Sequence, residues 1–386
     1  MTMGTDTGAP IRVGIAGAGS VAFGSAALLK QNGHDPMLWS PSGAGTAGLG
    51  EGRVLTADGA VGIAFAPAVA ASARALAEDN DVILIAVPGY GHRAVMDALV
   101  PHLRAGQPVI MSSHASFGAL YLAERLAARG IVAPITAWGT TAVTGRRTGP
   151  DRVQVNTVRA QVDLCTLPEA DTAAGLALCT ALFGDRFVMR DGLLAITLSN
   201  LNPQNHMGIA LANMTRMEHG ETWGQGANVT PNVGRLLEAL DAERLAIAAE
   251  LGLTVRTIFE HFHLSFHVPV ASISDMNRQI HREGRGGTGP ASADSRYVTE
   301  DVPFGLAVTA ALGRLVGRPA LLHEAGVQIF SAMYGRDFAA ENDLLPAIGL
   351  DRMSLEDLRD ALRAGRLPSL PDAGAENRTA ATNAVQ

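Results

Sequence analysis

Short apolar runs alternate with amphipathic stretches through the first half of the chain. Ile11-Arg12-Val13-Gly14-Ile15-Ala16 reads as a buried strand, and a helical pattern through Ala26-Ala27-Leu28-Leu29 follows it and stops at Gly33. Pro36-Met37-Leu38-Trp39 is a second strand that ends in Ser40-Pro41-Ser42-Gly43, and Ala68 to Leu76 is a small helix beyond a glycine-rich excursion. Asp81 to Val87 is the clearest strand, closed by Pro88-Gly89. Arg93–Leu103, Pro108–Met111 and Ala119–Arg129 then continue as helix, strand and helix. Strands and helices alternating at this spacing build βαβ units around a parallel sheet.

Near residue 190 the texture changes. Leu193 to Met217 is helical with a break at Asn202-Pro203, where Asn202 is read as the cap and Pro203 as the first helical residue. Thr230-Pro231 starts another helix, whose apolar face runs through Val233, Leu236, Leu237 and Leu240 to Leu251. Phe304 to Val316 is a further helix, ended by Gly317 and Pro319. The expected architecture is α/β, with an N-terminal Rossmann-type doubly wound parallel sheet over residues 1–190. A mainly α-helical C-terminal substrate domain follows over 191–370, and 371–386 form a disordered tail without apolar periodicity.

Composition narrows the class. In 386 residues, 47% are hydrophobic and 17% charged, which fits a two-domain globular enzyme. A net charge of -7 argues against a nucleic-acid partner, since phosphate binding needs a basic stripe. Cys165 and Cys179 have neither metal-ligand nor disulfide-framework spacing and are read as buried reduced thiols in a cytoplasmic protein. Met1 to Pro10 lack a cationic segment followed by an apolar one, so no secretory signal is expected, and no run is long enough to span a membrane.

The first strand runs directly into Gly17-x-Gly19-x-x-Ala22, the context a dinucleotide-binding turn requires. Gly17 permits the tight turn, Gly19 lets a pyrophosphate approach the backbone, and Ala22 allows close helix–strand packing, while Ser20 and Val21 open the helix. The second strand ends without the carboxylate that binds a ribose 2′-hydroxyl in NAD sites. Ser40, Ser42 and Arg53 are read instead as partners of a 2′-phosphate, which favours NADP and leaves NAD open; a plain turn is the other reading of the two serines.

Two segments of the second half carry acid–base and anion chemistry. His206 lies four residues after Asn202 on one helical face. Arg296 and Tyr297 precede Glu300, Asp301 and Pro303, where the Arg fork suits a carboxylate and Tyr297 belongs to the same substrate clamp. Taken alone, His206 is also readable as a structural histidine and the Arg296 segment as a capped helix with a surface ion pair. A carboxylate that meets one imidazole nitrogen would hold His206 in one tautomer and keep it basic. His261, His263 and His267 lack a matching acid or Cys ligand, so no metal is expected. Ser112 to Ser116 are a candidate nicotinamide contact or a plain turn, and Trp138 to Thr141 candidate pocket residues. Arg282 to Gly287 are a candidate lid.

Gly17-x-Gly19-x-x-Ala22, Asn202-Pro203-x-x-His206 and Arg296-Tyr297-x-x-Glu300-Asp301-Val302-Pro303 together resemble the octopine/nopaline dehydrogenase family of opine dehydrogenases, over about residues 11–365. Phe304 departs from the Tyr often found there, which removes a substrate-side hydroxyl. The resemblance implies reductive coupling of a 2-oxo acid with the amine of an amino acid by NAD(P)H. It further implies His206 and Asp301 as the catalytic pair, Arg296 as the carboxylate clamp, Asn202 as a polar contact and Pro88 beside the cofactor. Small molecules are the expected partners, with a homodimer by analogy. Two alternatives stay open: a 2-hydroxy or 3-hydroxy acid dehydrogenase that reduces a ketone, and an NAD(P)-binding regulator without catalysis.

Overall fold

The computed structural model describes residues 9–367, so the expected tail over 371–386 lies outside the described residues. The strands in order are β1 (Arg12–Ala16), β2 (Asp35–Trp39), β3 (Leu55–Gly59), β4 (Ile63–Phe65), β5 (Ala68–Val69), β6 (Val82–Ile85), β7 (Val109–Met111), β8 (Ile135–Trp138), β9 (Val143–Gly149), β10 (Arg152–Val158), β11 (Val162–Leu167) and β12 (Phe187–Met189). Eight of them form one sheet in the order β12-β11-β8-β7-β6-β1-β2-β5. Side chains alternate across it: Val13, Ile15, Val82 and Leu84 enter one apolar cluster, whereas Ala16, Ile83 and Ile85 enter the cluster on the opposite face. Burial on both faces explains why these strands read as continuous apolar runs.

The sheet is parallel from β5 to β8, and β11 then joins β8 in antiparallel fashion. This reversal departs from the all-parallel expectation for the first half. A second departure is a four-stranded sheet, β4-β3-β10-β9, that packs on the first helix. Close packing there depends on Gly24, where an added Cβ would lie 3.1 Å from the nearer methyl of Val143.

The helices of the first half are α1 (Ser20–Gln31), α2 (Ala73–Asp79), α3 (Gly89–Leu99), α4 (Gly118–Ala127) and α5 (Thr172–Phe183). The expected helix from Ala68 begins only at Ala73, because Ala68–Val69 pair with β2 and Ser72 caps α2 through a 3.1 Å bond from the Ala75 amide. Strand order reverses between β1 and β6, since β2 lies on one side of β1 and β6 on the other. Ligands of open α/β sheets bind at such a point, outside the carboxyl ends of the strands.

From residue 192 the described chain is helical: α6 (Gly192–Ser199), α7 (Asn202–Glu218), α8 (Pro231–Glu250), α9 (Ile258–Phe266), α10 (Ile273–Arg282) and α11 (Arg296–Thr299). A π-turn over Val302–Leu306 follows, then α12 (Ala307–Leu315), α13 (Leu321–Tyr334), α14 (Leu344–Ala347) and α15 (Leu355–Ala364). Helix α7 begins at Asn202, but its cap acceptor is Asn200, whose Oδ1 takes the Asn202 amide at 3.1 Å. Asn202 itself makes no capping bond, and neither does the Thr230 hydroxyl ahead of α8. In the candidate lid at Arg282–Gly287, the Gln225 amide donates to the Gly287 carbonyl at 3.0 Å, and Arg285 pairs with Glu283 within the segment.

Two clusters fill the faces of the sheet and a third lies inside the helical half. Leu344, Leu358 and Leu362, from the last helices, belong to the sheet-side cluster with Ile135 and Leu167. The end of the described chain thus returns to the first half.

Candidate active site

A cavity of about 530 Å³ opens where β1 and β6 end and the helical half faces them. Gly19, Ser20 and Val21 line it from the glycine turn, Pro88 from the end of β6, and Asn202, His206, Arg296, Tyr297 and Asp301 from the helices. Residues nearly three hundred positions apart therefore meet in one space.

Gly17 has a φ of +145°, and an added Cβ would stand 2.3 Å from the Ala86 carbonyl oxygen, so only glycine carries this turn. At Gly19 an added Cβ would meet nothing within 4 Å, which leaves its backbone open to the cavity. Helix α1 has no side-chain cap and no acid in its first turn. Its free amides and positive dipole end therefore suit a pyrophosphate. The residues present fit a dinucleotide.

Beyond β2, Ser40 and Ser42 line a separate groove of about 430 Å³ with Trp39, Pro41, Gly43 and Thr46 and no acidic residue. The Ser40 hydroxyl is buried without a partner, as a group awaiting a ligand would be. Arg53 is exposed and lines neither this groove nor the main cavity. A cation that does reach the glycine turn is Arg147 of β9, which donates to the carbonyls of Ala18 at 2.8 Å and Gly45 at 2.9 Å and lies over the Phe23 ring. Nothing in the alternation of Val143–Gly149 singles Arg147 out.

On the helical side, His206 Nδ1 and Asp301 Oδ2 are 2.7 Å apart. The Tyr297 ring stacks on the imidazole with centroids 3.5 Å apart and planes inclined by 10°. Its hydroxyl turns away and donates to Gln225 at 2.7 Å, and burial together with Asp301 raises its pKa to about 12. Tyr297 thus orients His206 through its face and keeps a neutral phenol. Arg296 is largely exposed and pairs through Nε with Glu300. The other Glu300 oxygen accepts the Gly89 amide at the start of α3, at 2.8 Å, so one carboxylate joins Arg296 to the sheet half.

The π-turn delivers Asp301. Its carbonyls at Pro303 and Phe304 are taken by Asn342 Nδ2 at 2.8 Å and the Ser116 hydroxyl at 3.0 Å, and Asn342 also donates to Ser116. An added Cβ at Gly305 would fall 2.2 Å from Cγ of Pro203, so glycine there lets the turn press against the start of α7. In this way Asp301 reaches His206, one turn further along α7. Of the Ser112–Ser116 segment, Ser112, Ser113, His114 and Ala115 face the cavity. Burial first, and then His92, lowers the His114 pKa to about 3, so this imidazole is neutral. Among the described residues no three His, Cys, Asp or Glu side chains gather to hold a metal ion.

Known proteins resemble this chain in sequence and fold. Residues 189–334 match the family model for the alpha-helical domain of NAD/NADP octopine/nopaline dehydrogenase. An opine dehydrogenase of Arthrobacter sp. (strain 1C) is 29% identical over 368 residues, covering 90% of this chain and 98% of that protein. Among solved structures, octopine dehydrogenase with NADH and L-arginine superposes with a TM-score of 0.76 at 16% identity, over 94% of this chain and all of that one, 100%. Yersinopine dehydrogenase bound to NADP+ gives a TM-score of 0.66 at 15% identity, over 87% of this chain and 97% of that one. The chain is thus similar to the octopine/nopaline dehydrogenases in its helical domain, and to an opine dehydrogenase over nearly its full length.

Proposed function

We infer that this protein is an NAD(P)H-dependent opine dehydrogenase, coupling a 2-oxo acid with the amine of an amino acid through an imine and catalysing the reverse oxidation. The observation that carries the reading is the 2.7 Å His206–Asp301 pair facing the same cavity as the uncapped glycine turn. Gly17, Gly19, Ser20, Val21 and Ala22 would hold the pyrophosphate, with Pro88 alongside, and the bound cofactor supplies or accepts the hydride. NADP is favoured because the groove at Ser40 and Ser42 contains no carboxylate to repel a 2′-phosphate.

Asp301 accepts the Nδ1 proton of His206, which leaves Nε2 as the atom that exchanges protons in the cavity. Nε2 donates the proton that lets water leave the carbinolamine, and it receives one in the oxidative direction. Arg296 offers its unpaired guanidinium nitrogens to the oxo-acid carboxylate, while Glu300 fixes the plane of the fork. Asn202 contributes a polar contact near the reacting centre. Two buried thiols fit a reducing cytoplasm: burial holds the pKa of Cys165 well above the usual range and raises that of Cys179 to about 12. No helix among the described residues is long and apolar enough to cross a membrane. A homodimer accompanies the reading, and light scattering at micromolar concentration checks it.

The deciding assay follows NADPH and NADH oxidation with pyruvate, with and without a panel of amino acids. Amine-dependent oxidation is expected. Oxidation at the same rate without amine would assign a simple hydroxy-acid dehydrogenase instead.

A further inference from the structure

A second cavity, of about 700 Å³, adjoins the first and shares Thr140, Arg159, Asn200 and Asn202 with it. Its walls carry three arginines, Arg159, Arg190 and Arg256. Two acids accompany them, and both are occupied. Asp163 pairs with Arg190 at 2.9 Å, and Glu260 closes the capping box of α9 on the Thr257 amide and hydroxyl. Neither Arg159 nor Arg256 has a carboxylate within ion-pair distance among the described residues. The Nε atoms of Arg159 and Arg190 are both buried without a hydrogen-bond partner.

A buried guanidinium with an idle donor and no counter-charge is costly unless an anion completes it. Burial alone lowers the Arg159 pKa, which records that missing partner. His261, in the same wall, is lowered to about 4 by burial and then by Arg159, Arg256 and Arg244, against a smaller opposite effect of Asp241, so it stays neutral and the wall holds three guanidinium groups against two carboxylates. Arg296 lines only the first cavity, which leaves the second to the other substrate.

We propose that the second cavity is the subsite of the amine substrate, and that it selects an amino acid bearing an acidic side chain. Arg159, at the junction, binds the α-carboxylate and points the amine into the first cavity. Arg256, found only in the second cavity, receives the side-chain carboxylate, with Arg190 beside it as a partly neutralised neighbour. The inference rests on the reductive-amination reading and adds a substrate class to it: a dicarboxylic amino acid.

The test compares kcat/KM for glutamate, glutamine, norvaline and arginine at saturating pyruvate and NADPH. Glutamate is expected to exceed glutamine roughly 10- to 100-fold, the range of one charge-assisted contact. Arg256→Met should erase that ratio and leave the pyruvate KM unchanged. Arg159→Met should raise KM for every α-amino acid, while primary amines without a carboxylate respond little. Amine-dependent oxidation in which glutamine, norvaline or arginine equals or surpasses glutamate overturns the anionic subsite and leaves reductive amination standing. Oxidation independent of amine overturns both. A preference for 2-oxoglutarate over pyruvate that Arg256→Met abolishes would give the cavity to the oxo acid and likewise end the proposal. The wild-type panel decides even where a variant fails to fold.

Discussion

At the scale of single residues, catalysis is assigned to one short contact. His206 and Asp301 come from helices 95 positions apart and meet at 2.7 Å. If they act as a unit, His206→Ala and Asp301→Asn should each lower kcat by about 100- to 10,000-fold. The double variant should lose little more than either single one, because residues that act together are non-additive. Rapid-quench or steady-state kinetics on all three variants checks this, with fluorescence titration expected to show unchanged cofactor affinity. Fully additive losses would separate the two residues. His206, Asp301 and Arg296 were legible in the sequence through their motifs. Glu300 was visible only as part of a motif, and its bond to the Gly89 amide was not, since a contact 211 positions away leaves no local pattern. Tyr297 was expected at the substrate, yet its hydroxyl is spent on Gln225 and its face on His206.

At the scale of elements, periodicity located β1, α1, β2, β6, β7, α3, α4, α6, α7, α8 and α12 to within a few residues, because burial on one or two faces writes itself into the chain, but it did not mark β8, β11, β12, α5, α9, α10 or the helices after α12. It missed the β3, β4, β9, β10 sheet. Val143–Gly149 has a mostly exposed face and the residues Thr-Gly-Arg-Arg-Thr-Gly, so its strand character comes from pairing with β10 and packing on α1. The start of α7 differs as well: the cap position is Leu201, and Asn200, not Asn202, supplies the side chain that accepts an amide there, a shift with no compositional signal. An unforeseen cap holds α13. Glu243 of α8 accepts the Leu322 amide at 2.8 Å, the His323 amide at 3.2 Å and the His323 ring at 2.8 Å. Burial acts to raise the Glu243 pKa, and the His323 ring and the two amides outweigh it, so the net shift is downward. A carboxyl with a lowered folded-state pKa stabilises above its unfolded value, about 4.3, and the contribution disappears as pH falls through the folded value. Glu243→Gln should therefore cost roughly 1–3 kcal/mol at pH 7. That difference from the wild type should shrink below about pH 4, as read from urea midpoints across pH.

At the scale of the whole molecule, the halves are joined by polar pins as well as by apolar packing. Asn342 is 1% exposed and links Ser116 of the sheet half to the Pro303 carbonyl of the helical half, while its Oδ1 accepts the Leu344 and Leu345 amides. Asn342→Ala strands several buried groups at once and should cost about 2–4 kcal/mol. A lower urea midpoint at an unchanged m-value would show this. Turnover should also fall, because the same carbonyl belongs to the turn that carries Asp301, whereas cofactor affinity should hold. A midpoint equal to that of the wild type would relieve Asn342 of its joining role. Residue 190 lies between β12 and α6, and nothing in the periodicity signals that Leu344, Leu358 and Leu362 return to the sheet-side core.

The π-turn at Val302–Leu306 has one more consequence, for how this lineage can change length. A π-turn holds one residue more than an α-helical turn, and each helical residue advances the side-chain direction by about 100°. That extra residue acts as a phase offset between Asp301 and everything downstream in α12. Deleting any one of the five would restore a regular helix, at little expense to local hydrogen bonding, while swinging the carboxylate off the imidazole. Length is thus constrained separately from composition: outside Gly305 a point replacement preserves the phase, and a single-codon deletion cannot.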